Sequence, residues 1–132
     1  MRLIRSSDYE QLASWIKADP YHKDIFLPEF WYERGRISFV VEDERGAVMF
    51  VKLVPEPPAI RISIQFCDNP RRNAKAMLRH FGEVRELVKQ AGANAMLYDT
   101  RSPKLAAFCE KALGFVPDGF TPQGFCNYRL LI

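Results

Sequence analysis

The segment from residue 102 to 115 constrains the fold most, because it carries a helix start, a helix stop and a return to the core in one short run. Ser102 followed by Pro103 is typical of an N-cap and a first helical position. Apolar residues at helical spacing predict a buried stripe made of Leu105, Phe108 and Ala112. Gly114 predicts the helix end, and Phe115 predicts an immediate return to the core. With a strand predicted at 95–99 and a short strand after the helix, the segment forms a strand–helix–strand unit.

The first half of the chain predicts one helix and a hairpin. A short strand at 2–5 precedes a helix that opens on a capping box of Ser7 and Glu10 and ends at Asp19. Strands at 37–41 and 48–53 flank a polar connection with a glycine, which predicts a hairpin. The proline-rich stretch 54–58 predicts a loop rather than a strand.

The second half continues with alternating strands and helices. Residues 60–66 alternate apolar and polar, which predicts a half-buried strand. The longest helix is predicted over 71–90, with a single apolar face of Met77, Phe81, Val84 and Val88, and the last strand over 125–132. The aromatic residues Phe26, Phe30, Trp31 and Tyr32 either pack in the core or line a substrate cleft, and the core is the favoured interpretation.

Composition excludes several classes of protein. With 132 residues, of which 48% are hydrophobic, the chain predicts a single domain over 1–132. The net charge of +3 is too small to argue for nucleic acid or membrane as a partner, and no apolar stretch approaches the roughly 20 residues of a membrane span. Cys67, Cys109 and Cys126 are expected to be free thiols in a cytoplasmic protein. They share no metal-like spacing with the two histidines, so no metal is expected.

The strand–helix–strand unit that closes on Leu113-Gly114-Phe115 resembles the closing segment of the GCN5-related N-acetyltransferases. The predicted order of elements is similar to that family's topology over nearly the whole chain. The resemblance implies an α+β fold in α/β/α layers, a mixed and mostly antiparallel sheet flanked by helices. It also implies acetyl-coenzyme A as co-substrate, bound between the strand that ends at Phe66 and the strand that ends at Tyr98, and a small amine or a peptide amine as acceptor.

The turn before the longest helix predicts an anion site. A helix N-terminus presents free N–H groups and a positive dipole end, and Arg71, Arg72 and Lys75 add full charges there. The family carries Gln/Arg-x-x-Gly-x-Gly/Ala at this turn, and in that register Arg71 leads, Ala74 replaces a glycine and Ala76 takes the last position. The coenzyme-binding residues so implied are Phe66, Arg71, Arg72, Asn73, Ala74, Lys75, Ala76 and Ser102.

Acetyl transfer needs a base for the amine and an acid for the leaving thiolate. The family often has a tyrosine four residues before the closing glycine, where this chain has Glu110 beside Cys109. The candidate catalytic residues are therefore Tyr98, Tyr128 and Cys109, and the candidate bases are Asp68, Glu42 and Asp43. The resemblance implies that the region with Tyr21, His22, Phe26, Phe30 and Trp31 shapes the acceptor pocket.

Two alternatives accompany this interpretation. The missing glycine and tyrosine favour a catalytically degenerate module that keeps the fold and serves in binding or interaction. A nucleic-acid binder using Arg71, Arg72, Lys75, Arg79 and Arg85 ranks last, because no known nucleic-acid motif accompanies these charges. A homodimer is compatible with the sequence, whereas nucleic acid and membrane are not expected as partners.

Overall fold

A computed structural model describes residues 1–132. Its seven strands form one sheet in the order β1-β2-β3-β4-β5-β7-β6. The strands are β1 (Arg2–Leu3), β2 (Ile37–Asp43), β3 (Gly46–Glu56), β4 (Ala59–Phe66), β5 (Ala95–Thr100), β6 (Val116–Phe120) and β7 (Cys126–Leu131). The helices are α1 (Tyr9–Ala18), α2 (Pro70–Gln90) and α3 (Pro103–Ala112). β4 and β5 pair in parallel, while β1–β2, β2–β3, β5–β7 and β6–β7 pair antiparallel, so the predicted mixed sheet is confirmed.

The chain divides into two compact units, which are described in turn. The first unit is Met1–Leu53 with Ile64–Met77, and the second is Val54–Ser63 with Leu78–Ile132. The single domain over 1–132 stays a prediction. None of the three helices has the length and apolar character that a membrane crossing requires.

The core of the first unit lies between α1 and the β2–β3 hairpin. It consists of Leu12, Ile16, Trp31, Val40 and Phe50, and the half-buried side chains of Trp15, Phe26, Phe30 and Tyr32 pack against it. The aromatic residues of the segment 26–32 therefore belong to the core, as the sequence favoured. The β2–β3 register runs from Ile37 opposite Leu53 to Asp43 opposite Gly46.

The predicted start of α1 is wrong. The helix begins at Tyr9 after a short 3₁₀ turn at Ser6–Asp8, so Ser7 and Glu10 do not form a capping box. Asp8 closes the 3₁₀ turn instead: its buried carboxylate accepts the backbone N–H of Arg5 at 2.8 Å and two hydrogen bonds from the Arg2 guanidinium, both at 2.8 Å, while no side chain caps α1. The hydrogen bonds from Arg2 lower the pKa of Asp8.

The predicted loop at 54–58 is also partly wrong, since β3 continues through Pro55 to Glu56. Proline cannot donate a ladder hydrogen bond and is usually excluded from central strands. The pairing of β3 with β2 ends at Leu53, so no donor is required from Pro55 on that side.

In the second unit, β5 pairs along its whole length with β7, from Ala95 opposite Leu131 to Thr100 opposite Cys126. The parallel pairing of β4 with β5 joins Ile60 to Met96 and Arg61 to Leu97, in the N-terminal half of both strands. β6 lies at the edge of the sheet, and all five of its residues are exposed. Its register with β7 shifts between Pro117 and Phe120.

The α3 segment forms largely as predicted. The Ser102 hydroxyl accepts the backbone N–H of Leu105 at 3.3 Å, and Pro103 takes the first helical position. Gly114 has a φ of +82°, which suits glycine at a helix end, and Phe115 is buried. The predicted stripe needs correction, because Ala112, the last helical residue, is exposed while Cys109 is buried.

Candidate functional site

The turn from β4 into α2 is closed by its own side chains. The Asn69 side-chain oxygen accepts the backbone N–H of Arg72 at 3.2 Å, and the Asn69 carbonyl accepts the backbone N–H of Asn73 at 3.1 Å. Pro70 has no N–H to offer. The backbone N–H of Arg71 is therefore the donor of the first turn that remains for an external anion.

The three cations of this turn are not equivalent. The Arg72 guanidinium donates two hydrogen bonds to the Asp43 carboxylate, at 2.8 and 2.7 Å, and a third to the Ala47 carbonyl at 3.3 Å. The hydrogen bonds from Arg72 lower the pKa of Asp43 to about 2. Arg71 and Lys75 are exposed. An incoming anion would therefore meet the charges of Arg71 and Lys75, while Arg72 is engaged by the β2–β3 hairpin.

Asn73 fixes the turn from the helix side. Its side-chain amide donates to the Cys67 carbonyl at 2.9 Å, and the Cys67 thiol lies 3.2 Å from the Asn73 side-chain oxygen. Ala76 is buried, whereas Ala74 and Phe66 are half-buried. The side chain of Asn73 is thus bound to the loop, so this residue and its neighbours could contact a ligand only through backbone groups.

A buried polar network lies at the end of β4. The Gln65 side chain is 0% exposed. Its amide nitrogen donates to the Phe66 carbonyl at 3.0 Å and to an Asp19 carboxylate oxygen at 3.2 Å, and it lies 3.5 Å from the Trp15 carbonyl. Its oxygen lies 2.7 Å from Nδ1 of His22. The sequence implied that His22 lies beside an acceptor pocket, but it gave no sign that His22 contacts Gln65.

The titratable members of this network are His22 and Asp19, whose side chains are 22% and 20% exposed. Nδ1 of His22 also lies 3.3 Å from the Asp19 carboxylate. The ring packs edge-on against Phe26, with centroids 4.9 Å apart. Asp68, Glu42 and Asp43 were the bases suggested by the sequence; Asp43 is occupied by Arg72, and Glu42 lies 3.3 Å from the Arg2 guanidinium.

The candidate catalytic residues of the second unit are mostly buried. Tyr98 and Tyr128 lie directly opposite each other in the β5–β7 pairing, and they are 7% and 6% exposed. Burial raises the pKa of Tyr128. Burial, with the charge of Glu110, raises the pKa of the Cys109 thiol to about 12, so this thiol is protonated at neutral pH. The roles of all three residues, and that of Ser102 beyond its cap, stay predictions.

No group of three or more histidine, cysteine, aspartate or glutamate side chains gathers where it could hold a metal ion. No protein-family model matches the sequence, and no curated protein matches it. The class of this protein therefore rests on the similarity of its fold to solved structures.

Solved structures match this fold over nearly the whole chain. A domain from Methanocaldococcus jannaschii has a TM-score of 0.76 at 15% identity, covering 99% of this chain and 96% of its own. The ribosomal-protein-alanine N-acetyltransferase from Brucella melitensis has a TM-score of 0.73 at 14% identity, covering 99% and 98%. An N-acetyltransferase from Staphylococcus aureus Mu50 has a TM-score of 0.72 at 16% identity, covering 98% and 96%.

These likenesses define the class of fold. The chain has the fold of the GCN5-related N-acetyltransferases, which confirms at the level of the fold the resemblance found in the sequence. At 14–16% identity the likeness establishes the fold but not the activity, which depends on the residues of the site.

Proposed function

We propose that this chain is an acetyl-coenzyme A-dependent N-acetyltransferase that acts on a small amine or a peptide amine. The observation that carries the proposal is the basic first turn of α2, which follows directly on the end of β4 in this fold. Exposed cations are unfavourable beside the positive end of a helix dipole, so Arg71 and Lys75 are best explained by an anionic ligand. The free thiols of the chain support a cytoplasmic location.

The residues at the turn fit a diphosphate in part. Arg71 would contribute its backbone N–H and its guanidinium, and Lys75 would contribute its ammonium. The backbone of Phe66 would pair with the extended arm of the coenzyme, and the small, half-buried side chain of Ala74 would leave the first turn of α2 accessible, whereas Ala76 is buried. Arg72 would stabilise the turn rather than contact the diphosphate directly, because its guanidinium is already paired with Asp43.

The chemistry proposed for the second unit is proton donation. Tyr128 keeps its proton at neutral pH and could donate it to a leaving thiolate, although its raised pKa makes it a weaker acid than an exposed tyrosine. Tyr98, opposite it, is the second candidate. Cys109 is the third and a poor donor, since the pKa of its thiol is about 12, and it is better suited to a structural role than to nucleophilic attack. The acceptors in the names of matched structures include a ribosomal-protein alanine, aminoglycosides and spermidine, which are peptide and small amines.

A thermal-shift titration with acetyl-coenzyme A tests the proposal. A ligand present at about 100 times its dissociation constant stabilises a protein by about 2.7 kcal/mol, which for a chain of this size raises the melting temperature by roughly 8 to 14 °C. The double variant Arg71→Ala with Lys75→Ala should lose most of this shift. The matched control is Arg85→Ala with Lys89→Ala, which removes the same charge from exposed positions later on α2 and should keep the shift.

One observation favours the alternative of a degenerate binding module. Asn69 and Asp43 already satisfy the N–H and the guanidinium of Arg72, so part of the anion site is filled from within the chain. Under this alternative the wild-type protein shows no shift with acetyl-coenzyme A, and the two double variants behave alike.

A further inference from the structure

Resting on the proposed function, we infer that His22 is the group that removes the proton from the acceptor amine. Gln65 and Asp19 are positioning residues that hold its ring. The inference comes from hydrogen-bond directions in the buried network at the end of β4.

The orientation of the Gln65 amide is fixed by its surroundings. One end of the Gln65 amide faces the backbone carbonyl oxygens of Phe66 and Trp15, which can only accept hydrogen bonds. The NH₂ group must therefore face these carbonyls, and the amide oxygen must face His22. If the amide were rotated by 180°, its oxygen would face three acceptors, namely these two carbonyls and the Asp19 carboxylate.

This orientation selects one tautomer of His22. The Gln65 oxygen, 2.7 Å from Nδ1, can only accept, so Nδ1 carries the hydrogen of the neutral ring. The lone pair of the neutral imidazole is then on Nε2, which has no protein hydrogen-bond partner in the structure. The Asp19 carboxylate, 3.3 Å from Nδ1, stabilises the charge that the ring acquires when Nε2 takes up a proton.

The environment of the ring suits a base that exchanges protons with a substrate. The charged group in contact with His22 is Asp19, from the end of α1, whereas Gln65 of β4 and the Phe26 ring are neutral. The ammonium of Lys52 lies over the Phe30 ring and pairs with Glu33. Phe30 packs on Phe26, with centroids 5.1 Å apart.

The same end of β4 ties His22 to the proposed coenzyme site. Gln65 binds His22 with its oxygen and the Phe66 carbonyl with its nitrogen. One residue further on, the Cys67 carbonyl accepts Asn73 from the first turn of α2. The base and the basic turn are therefore held by three consecutive residues of one strand end.

Proton removal by His22 accompanies transfer of the acetyl group from sulfur to nitrogen. The amine nitrogen forms a bond with the carbonyl carbon of the acetyl thioester while the carbon–sulfur bond breaks and its electron pair leaves with sulfur. Nε2 of His22 takes the proton that the nitrogen loses and releases it to solvent, and the leaving thiolate takes a proton from the candidate acid proposed above, which solvent then restores. An amide and a thiol are the products, and the neutral imidazole is regenerated.

The experiment compares His22→Gln with His80→Gln, the matched control at the other histidine of the chain, which lies on α2. Acetyl-coenzyme A and ethylamine serve as probes, and the released thiol is measured from acid to neutral pH. We expect His22→Gln to keep the thermal shift with acetyl-coenzyme A and to lose roughly 10²- to 10⁴-fold in rate. His80→Gln should match the wild type. Asp19→Asn should lower kcat while leaving the KM for acetyl-coenzyme A and the thermal shift unchanged, a split that a purely structural role would not produce.

Nitrogen NMR of the two imidazoles gives a readout that needs no acceptor. In the wild type, the neutral His22 ring should carry its hydrogen on Nδ1. An Nε2–H tautomer, a His22→Gln rate within a few-fold of wild type, or a wild type that binds acetyl-coenzyme A but releases no thiol to ethylamine would each overturn the role of His22. Absence of any thermal shift with acetyl-coenzyme A would instead overturn the proposed function, so the two failures are distinguishable.

Discussion

The substitution Gln65→Glu replaces one NH₂ group by an oxygen at the centre of the buried network and leaves the shape of the side chain unchanged. In the wild-type protein that NH₂ group faces three oxygens, those of Phe66, Asp19 and Trp15, at 3.0, 3.2 and 3.5 Å. A carboxylate at this position would point a negative charge at all three. We expect a loss of stability that depends on pH.

The magnitude follows from two contributions. The two hydrogen bonds of good length contribute about 0.5 to 1.5 kcal/mol each, so their loss costs roughly 1 to 3 kcal/mol. Two like charges at the 3.2 Å that separates the Gln65 nitrogen from Asp19 repel by about 5 kcal/mol at an effective dielectric constant of about 20. Solvent reduces that repulsion, because the Asp19 side chain is 20% exposed. The sum, roughly 3 to 7 kcal/mol, is a large share of the 5 to 15 kcal/mol by which domains are usually stable.

The assay is urea denaturation of the wild type, Gln65→Glu and Gln65→Met at pH 7 and at mildly acidic pH. Gln65→Met loses the same two hydrogen bonds and also the one accepted from His22, without adding a charge, so it should lose roughly 1.5 to 4.5 kcal/mol at both pH values. Protonation of the new carboxyl removes the charge and supplies a donor, so the deficit of Gln65→Glu should shrink as the pH falls. If Gln65→Glu is as stable as Gln65→Met at pH 7, or loses stability faster in acid, the orientation assigned to Gln65 is wrong.

Two further predictions concern the ion pair of the turn and the candidate acids. Because Arg72 holds the pKa of Asp43 at about 2, below its value in an unfolded chain, the stabilisation from this pair is present above about pH 4 and is lost as the pH falls towards 2. Asp43→Asn should therefore lower the urea midpoint at pH 7, and its difference from wild type should close between about pH 4 and pH 2; a difference that widens there would contradict the assignment. Tyr98→Phe, Tyr128→Phe and Cys109→Ala should each retain measurable acetyl transfer to ethylamine, because positioning of the reactants carries a large part of the rate. Complete loss of turnover in one of them, with acetyl-coenzyme A binding intact, would identify that residue as the missing acid.

Much of the fold could be predicted because its signals are local. The cap at Ser102, the proline after it and the glycine at 114 lie within one helix length, and the hairpin around Gly46 depends on adjacent strands. The errors arose where a distant partner decided the outcome. Asp8 is bound to Arg2 and to the backbone of Arg5, so a 3₁₀ turn lies where a Ser7 cap was predicted. β3 tolerates Pro55 because its pairing with β2 ends at Leu53.

The candidate site was less predictable for the same reason. The cations at 71, 72 and 75 are visible in the sequence, but the engagement of Arg72 depends on Asp43, which is 29 positions away. The contact between His22 and Gln65 joins residues 43 positions apart, and neither belongs to a recognisable motif. In the sequence, Gln65 occupies a polar position of an apolar–polar alternation, which predicts a solvent-facing side chain rather than a buried one.

The exposed edge strand β6 has a consequence for how copies of this chain can meet. An edge strand normally invites another chain to add a strand and start an aggregate. Here Pro117 offers no N–H, and the register with β7 shifts immediately after it, so the edge lacks a regular row of donors even though Val116 and Phe120 are 62% and 75% exposed. The opposite edge, β1, is only the two residues Arg2–Leu3. A crowded solution of this protein should therefore resist growth into cross-strand ribbons, and a homodimer would form through side-chain packing rather than by continuation of the sheet.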